Sequence, residues 1–177
     1  MGKRVVVWLE KDALAELIYH VVAGYYVPLA VSRGYSSWTF IYDNLDILKS
    51  VLEVKVFYLG DHDPSGLDIE RFTKEAMRYF GINLELRRVA LTYEQIQRYN
   101  LLPNPTKRAD PRSKEYIIKY GDVCWELDAL EPKTLQQIVR SAVESEIEPS
   151  IWNKIMDKNR RAREKLKEEL RKRLLSN

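Results

Sequence analysis

The sequence predicts an α/β protein with a Rossmann-like parallel β-sheet of about four strands, helices on its faces and a helical C-terminal extension. Two observations favour this fold class. Short apolar runs rich in β-branched residues, such as RVVVWL, are typical of strands buried on both faces of a parallel sheet. Each run is followed through a short link by a segment with helical spacing of apolar residues, which gives a βαβαβαβ pattern.

The first half of this pattern begins with a strand at residues 4–9. The segment KDALAELIYHVVAGYY follows as a helix that ends near Gly24. Residues 27–34 are a second short buried strand that ends at a glycine. The segment SWTFIYDNLDILKSV is then a helix, and either Ser36 or Ser37 can cap it.

The second half begins with a third strand at residues 53–61. The third helix covers PSGLDIERFTKEAMRYFG, where Ser65 and Asp68 resemble a capping box with Asp in place of Glu. Residues 82–91 alternate between apolar and polar side chains and predict a fourth strand. The α/β core therefore covers residues 1–91.

The pattern is less regular after the fourth strand, and residues 92–150 are interpreted as a loop-rich extension. It contains a short helix at TYEQIQRYN and a loop at LLPNPTKRADPRSKEY. A fifth strand is expected at residues 123–130, and Pro132 occupies the N1 position of a further helix. Residues 151–177 form a basic terminal helix.

Composition excludes several classes of protein. With 45% hydrophobic and 11% aromatic residues in 177, the chain can bury a core and is not disordered throughout. Its apolar runs are too short for a membrane span or a signal peptide, so no membrane partner is expected. A single cysteine, Cys124, allows no internal disulfide and is typical of a reducing compartment, which predicts a cytoplasmic location.

Charge is distributed unevenly along the chain. The net charge is +3, but residues 151–177 alone carry ten Lys or Arg and four Asp or Glu. The rest of the chain is therefore mildly acidic. The basic end is either a solvated helix face or a surface that binds nucleic-acid phosphates, for which Arg160, Arg161 and Arg163 are the candidates.

Carboxylates follow the first and third predicted strands. Glu10 ends the first, and Asp61 and Asp63 end the third. These strands are neighbours in the simplest doubly wound sheet, so the carboxylates should meet at the edge where such folds place their sites. Side chains alternate along a strand, so His62 should point away from both aspartates.

Carboxylates held this close repel one another unless something compensates. Protonation of one is possible, and an Asp-x-Asp pair also occurs in turns, phosphatases and sugar-nucleotide enzymes. A hard divalent cation is the better match, since Mg²⁺ takes one or two carboxylates together with water and phosphate oxygens. We expect Mg²⁺, or Mn²⁺ in its place, with Glu10 binding metal or moving a proton.

These residues and their order resemble the Toprim domain of topoisomerases, bacterial-type primases and certain nucleases. The segments LEKDALAELI, SRGYSS and GDHDPSGLDI resemble its glutamate, glycine and Asp-x-Asp motifs, with Glu10, Gly34, Asp61 and Asp63 in place. The amino-acid sequence of these segments is most similar to that of the A subunit of type IIB topoisomerases and of related meiotic double-strand-break proteins. The resemblance covers residues 4–91, about half of the chain.

This resemblance implies Mg²⁺-dependent phosphoryl transfer on nucleic acid, with DNA favoured over RNA. Asp61 and Asp63 would hold Mg²⁺, and Glu10 would be an acid/base or a further ligand. In the type IIB A subunit a preceding winged-helix domain supplies a tyrosine nucleophile. Only three residues precede the first strand here, so that domain is expected to be absent.

Two main hypotheses follow. The chain is either a small nuclease in which water attacks, or an incomplete Toprim subunit that binds nucleic acid. In the second case a protein partner supplies the nucleophile or completes a topoisomerase-like or primase-like complex. A third hypothesis is a phosphatase or nucleotidyl enzyme that acts on small molecules.

Further charged residues are candidates for binding. Lys11 and Arg33 lie beside the predicted edge and could contact a phosphate, although a solvated lysine and a structural ion pair are the alternatives. Glu126 and Asp128 would share one face of the fifth strand, either as additional metal ligands or as an acidic edge. The remaining candidates for phosphate contact lie in the predicted loop: Lys107, Arg108, Arg112 and Lys114.

Overall fold

The computed structural model describes residues 2–32, 41–42, 45–106 and 110–175, and the chain divides into two compact units, residues 1–143 and 144–177. The strands are β1 (Lys3–Leu9), β2 (Leu29–Val31), β3 (Glu53–Leu59), β4 (Leu84–Ala90), β5 (Asn104–Pro105) and β6 (Val123–Cys124). The α-helices are α1 (Ala15–Val22), α2 (Leu45–Lys49), α3 (Pro64–Tyr79), α4 (Tyr93–Arg98), α5 (Ser113–Tyr120), α6 (Pro132–Glu144) and α7 (Pro149–Leu175). Single 3-10 turns lie at Asp12–Leu14, Ala23–Tyr25 and Leu127–Ala129.

Four strands form the central parallel sheet in the order β2-β1-β3-β4. This order confirms the predicted α/β, Rossmann-like fold class and places β1 directly beside β3. Leu9 at the end of β1 pairs with Leu59 at the end of β3, so both strands finish at the same level. Residues that follow the two strands are thereby brought to one edge of the sheet.

The two central strands, β1 and β3, are buried on both faces toward their carboxyl ends, as their apolar residues predict. Val6 and Trp8 of β1 pack in one cluster with Tyr58 of β3 and with Ile69 and Met77 of α3. The alternating residues of both strands, Val7, Leu9, Phe57 and Leu59, are also fully buried. Each large apolar side chain buried in this way contributes roughly 2 kcal/mol, which fixes the position of the strand ends.

The Trp8 indole lies in this core with its polar group satisfied. Its Nε1–H donates to Ser32 Oγ over 2.7 Å, and both residues are buried. A buried indole N–H without an acceptor would be costly, so this bond ties β1 to the residue that follows β2.

The predicted fifth strand at residues 123–130 is wrong. Only Val123–Cys124 forms a strand, antiparallel to β5, and Leu127–Ala129 is a 3-10 turn. Leu127 and Leu130 are both buried, and their spacing of three residues is the repeat of a 3-10 helix rather than of a strand. The apparent alternation of CWELDAL therefore arises from a turn that directs two leucines into the core.

The predicted loop LLPNPTKRADPRSKEY contains a helix that the sequence reading missed. Helix α5 begins at Ser113, within this segment, and Tyr116 and Ser113 are buried. Three prolines and several charges obscured the helical pattern, but Pro111 lies before the helix and leaves it uninterrupted.

The remaining helices agree with the sequence in type and approximate extent. Pro132 and Pro149 open α6 and α7, as expected for prolines at the first helical position. The predicted helix over SWTFIYDNLDILKSV lies partly outside the described residues, which include α2. No helix in the described ranges combines the length and apolar character needed to cross a membrane.

Candidate functional site

Glu10 and the loop after β3 lie side by side at the carboxyl edge of the sheet. The Glu10 N–H donates to the Leu59 carbonyl over 2.9 Å and so extends the β1–β3 pairing by one residue. The Glu10 carboxylate accepts a hydrogen bond from the Tyr58 hydroxyl at 3.0 Å through Oε2. Tyr58 is fully buried, so this bond holds the carboxylate over the end of β3.

Gly60 makes the close approach of Glu10 possible. A Cβ at this position would collide with Glu10 Oε2 and with the Tyr58 ring. The carboxylate of Glu10 therefore lies directly over the backbone that leads into Asp61. Any larger residue at position 60 would push the carboxylate away from the aspartate loop.

Each aspartate is anchored by a backbone N–H. Asp61 Oδ1 accepts from the Leu127 N–H at 2.7 Å, and Asp63 Oδ1 accepts from the Gly66 N–H at 2.6 Å. Asp63 is therefore the N-cap of α3, which corrects the predicted capping box of Ser65 and Asp68. The cap lies earlier because Pro64 occupies the first helical turn, where its missing N–H costs nothing.

The charges of the three acids influence one another. Burial raises the pKa of Glu10 to about 7, the Tyr58 hydrogen bond opposes this rise, and the negative charges of Asp61 and Asp63 add to it. Burial also raises the pKa of Asp61, against the effect of the Leu127 N–H and of Lys11. The edge thus concentrates negative charge that nearby cations compensate only in part.

Arg88 of β4 organises the loop that carries both aspartates. Its Nη1 lies 3.0 and 3.1 Å from the carbonyl oxygens of Gly60 and Asp61, and Nη2 donates to the Gly66 carbonyl at 3.0 Å. Its Nε donates to Glu70 at 2.7 Å, and the guanidinium lies 5.0 Å from the centre of the Tyr58 ring. Sequence reasoning missed this residue, although an arginine in a strand expected to be covered by helices was the available signal.

Lys11 lies beside the acids but is ion-paired. Its Nζ is 2.7 Å from Glu126 and 2.6 Å from Asp128. The pKa of Lys11 is raised, because the hydrogen bonds to Asp128 and Glu126 outweigh the opposing effect of burial. Asp128 lies within the 3-10 turn, and Glu126 is the residue directly before it. The two acids therefore do not share the strand face that the sequence predicted for them.

His62 points into an aromatic cluster on the other side of the loop. Its backbone pairs with Trp125, and its ring contacts Tyr93, Tyr116, Tyr120 and Trp125. The Tyr116 hydroxyl donates to the His62 carbonyl at 2.7 Å, so His62 Nδ1, at 2.9 Å, is the donor to that hydroxyl. Burial, with the charge of Arg88, lowers the pKa of His62 to about 4, which keeps the ring neutral.

None of the other predicted binding residues is a described contact of the three acids. Arg33, Gly34, Lys107 and Arg108 lie outside the described residues, as do Ser36 and Ser37. Arg112 and Lys114 lie at the start of α5. The basic candidates of the terminal helix, Arg160, Arg161 and Arg163, are exposed on α7 in the second unit.

The three acids match Mg²⁺ in donor chemistry. Glu10 Oε1, Asp61 Oδ2 and Asp63 Oδ2 accept no hydrogen bond from the described part of the chain, so each carboxylate keeps one oxygen for a ligand. Hard oxygen donors of this kind suit Mg²⁺ or Mn²⁺. Within residues 2–32, 41–42, 45–106 and 110–175, however, no group of three or more His, Cys, Asp or Glu side chains is already arranged to hold a metal.

The sequence matches no family model and no curated protein.

Proposed function

We propose that the chain is a small Toprim nuclease, a Mg²⁺-dependent protein that transfers phosphodiester groups in nucleic acid. The observation that carries this proposal is the position of Glu10 over Gly60, at the entrance to the loop that holds Asp61 and Asp63. Two adjacent parallel strands thus deliver three carboxylates to one edge, the usual location of a site in an open α/β sheet.

Each residue of the edge has a role in this proposal. Asp61 and Asp63 hold the metal through their unengaged oxygens, while Leu127 and Gly66 fix the orientation of the two carboxylates. When bound, Mg²⁺ supplies Lewis-acid stabilisation of charge on the phosphate oxygens. Glu10 either binds the metal or holds and releases a proton at Oε1, since its pKa of about 7 suits exchange near neutral pH.

The resemblance to Toprim domains supports the same assignment. The glutamate after β1 and the Asp-x-Asp after β3 follow the order of that family, and the expected nucleic-acid partner follows from it. A cytoplasmic location agrees with Cys124, a buried thiol and the single cysteine of the sequence.

The proposal is tested by incubating the full chain with plasmid, linear DNA and RNA in Mg²⁺ or Mn²⁺. We expect divalent-dependent cleavage that falls at least about 100-fold in Asp61→Asn and Glu10→Gln. Asp61→Asn is a suitable change because its amide oxygen can still accept from the Leu127 N–H. Calorimetric titration with Mn²⁺ should show weaker binding in both variants.

Glu16→Gln is the matched control, because this α1 carboxylate is exposed and has only His20, at 3.8 Å, as an ion-pair partner among the described residues. It should cleave like the unaltered chain. Undiminished cleavage by both Asp61→Asn and Glu10→Gln would overturn the proposal. Salt-sensitive binding of nucleic acid without turnover would favour the incomplete subunit instead.

A further inference from the structure

A groove of about 610 Å³ lies between the first half of α3 and α5, within the first unit. It begins at Pro64, the residue directly after Asp63, although none of the three acids lines it. One of its walls is α3, which the sequence predicted, and the other is α5, which begins within the segment predicted as a loop. Its lining has two components, an apolar floor and a basic rim.

The floor consists of rings and one leucine: Pro64, Leu67, Pro111, Tyr116 and Tyr120. Tyr116 is buried, and Tyr120 is half-buried. Both tyrosines also contact His62, whose ring lies 4.6 Å from that of Tyr120. The aromatic cluster behind the aspartate loop is therefore continuous with the floor of the groove.

The rim carries four cations, Arg71, Arg112, Lys114 and Lys119, against two acids, Asp68 and Glu115. Asp68 holds both guanidinium groups, with Arg71 Nη2 at 2.6 Å and Arg112 Nη1 at 3.2 Å. Lys114 and Lys119 are exposed and form no salt bridge with any described residue. Arg71 also pairs with Glu75 and Arg112 with Asp110, so the rim cations left for an anionic ligand are Lys114 and Lys119.

This combination fits one kind of polymer. Cations along a groove bind the successive phosphates of a nucleic-acid backbone, and aromatic rings in the groove stack against the faces of unpaired bases. A duplex keeps its bases stacked inside, so only its backbone would reach such a floor. An acidic peptide would satisfy the rim but would offer the ring floor no flat heterocycle.

We propose that the groove between α3 and α5 binds a single-stranded segment of nucleic acid, with a base against the half-buried Tyr120 ring and phosphates on Lys114 and Lys119. The inference rests on the proposed function in taking nucleic acid as the substrate. Because the groove starts beside Asp63, a strand bound there leads toward the carboxylate edge. The substrate class is then nucleic acid with an unpaired strand next to the reacting phosphate.

Binding is measured by fluorescence anisotropy with the full chain in EDTA, so that no metal chemistry contributes. The probes are a labelled oligothymidylate of about 10 nucleotides and a duplex of equal length. The test variant is Lys114→Glu with Lys119→Glu. The control is Lys49→Glu with Lys133→Glu, which changes net charge equally at two exposed lysines that do not line the groove.

We expect the unaltered chain to prefer the single strand, and the test variant to lose about tenfold in affinity together with that preference. The control should stay within about twofold. Equal losses in both variants, or no preference for the single strand in the unaltered chain, would show unspecific attraction and overturn the inference. Displacement of the oligonucleotide by polyglutamate as readily as by unlabelled oligonucleotide would assign the groove to acidic peptides and overturn it as well.

Failure of this inference is distinguishable from failure of the proposed function. Groove-dependent binding without cleavage of any polymer in Mg²⁺ would refute the nuclease and leave the groove intact. Cleavage that needs Asp61, together with single-strand binding that is indifferent to Lys114 and Lys119, would refute the groove and leave the nuclease intact.

Discussion

Arg88 is the residue on which the geometry of the aspartate loop most depends. One largely buried guanidinium joins the backbone carbonyls of Gly60, Asp61 and Gly66 to the carboxylate of Glu70. A lysine could not replace it, because an ammonium group lacks the planar fork that reaches acceptors in several directions. The loop therefore owes its shape to a side chain from the neighbouring strand.

Replacing Arg88 by Met should destabilise the protein by about 3–5 kcal/mol, because Glu70 keeps only Lys74 as a donor and the carbonyls of Gly60, Asp61 and Gly66 lose the guanidinium. Arg87→Met is the control on the same strand. Arg87 is exposed and lies 4.7 Å from the Phe57 ring, so its loss should cost less than about 1 kcal/mol. Urea unfolding measures both, and equal losses would contradict a special role for Arg88.

Glu70 adds a pH dependence to this network. Burial acts to raise its pKa, but hydrogen bonds from Lys74 and Arg88 outweigh it and hold the pKa below its usual value. A lowered pKa in the folded state means that the unfolded chain binds the proton more readily. The stabilisation is therefore complete above the ordinary carboxyl value of about 4.5 and is lost as the pH falls below it.

The difference in thermal midpoint between the unaltered chain and Glu70→Gln should accordingly be largest at neutral pH. It should shrink as the pH falls below about 4.5 toward the lower pKa of Glu70 in the folded state, and below that pKa both chains carry an uncharged group at position 70. Thermal unfolding at a series of pH values measures this. A difference that stays constant down to low pH would show that the charge of Glu70 has no part in stability.

At the scale of elements, Asp63 at the start of α3 both caps the helix and is a proposed metal ligand. Asp63 caps the helix through the Gly66 N–H, and its second oxygen faces no donor among the described residues. The cap fixes the orientation of the carboxylate that we assign to the metal. Capping and metal binding are separable, because an amide oxygen can cap a helix but does not supply a negative charge.

Asp63→Ala should lower the free energy of unfolding by about 1 kcal/mol, as expected for the loss of a helix cap. Asp63→Asn should retain the cap and stay within a few tenths of a kcal/mol, while Mn²⁺ binding weakens in both variants. Chemical unfolding and calorimetric titration give the two readouts. Equal metal affinity of Asp63→Asn and the unaltered chain would remove Asp63 from the proposed ligand set.

The 3-10 turn at Leu127–Ala129 is the element that sequence reasoning placed least well. Its first N–H binds Asp61, and its acidic residue Asp128 pairs with Lys11. Strand and 3-10 spacing differ by one residue, and a segment as short as CWELDAL fits both. The choice between them is made by which leucines reach the core, and that depends on the fold around them.

At the scale of the whole molecule, the chain consists of a first unit of residues 1–143 and a second of residues 144–177. The first contains the sheet, the acids and the groove. The second contains α7, where the basic side chains that the structure describes, including Arg160, Arg161 and Arg163, are exposed. If α7 binds phosphates, it adds affinity that does not depend on sequence or on strand type.

A chain that ends after residue 148 should unfold cooperatively and keep its preference for single strands, because the first unit is compact without α7. Its affinity for nucleic acid should fall, and the dependence of affinity on salt should become shallower. Exchange of Arg160, Arg161 and Arg163 for Gln in the full chain should reproduce the shallower dependence. An unchanged salt dependence in both proteins would remove α7 from the nucleic-acid interface.

The sequence by itself determined the α/β core, the neighbouring positions of β1 and β3, and the arrival of Glu10, Asp61 and Asp63 at one edge. Local apolar periodicity sets where strands begin and end, and the connection rules for parallel sheets then limit their order. Local signals are sufficient for the strands themselves, because each strand depends on residues that are close in sequence, and the connection rules supply the pairing of β1 with β3.

Only the tertiary structure decided what surrounds the acids. The Leu127 N–H on Asp61, the pairing of Lys11 with Glu126, and the groove between α3 and α5 all depend on how residues 92–143 fold against the core. Lys11 and Glu126 are 115 residues apart, and no periodic pattern connects them. Such contacts result from packing of the complete unit, in which burial of the aromatic and leucine side chains fixes where each polar group can find its partner.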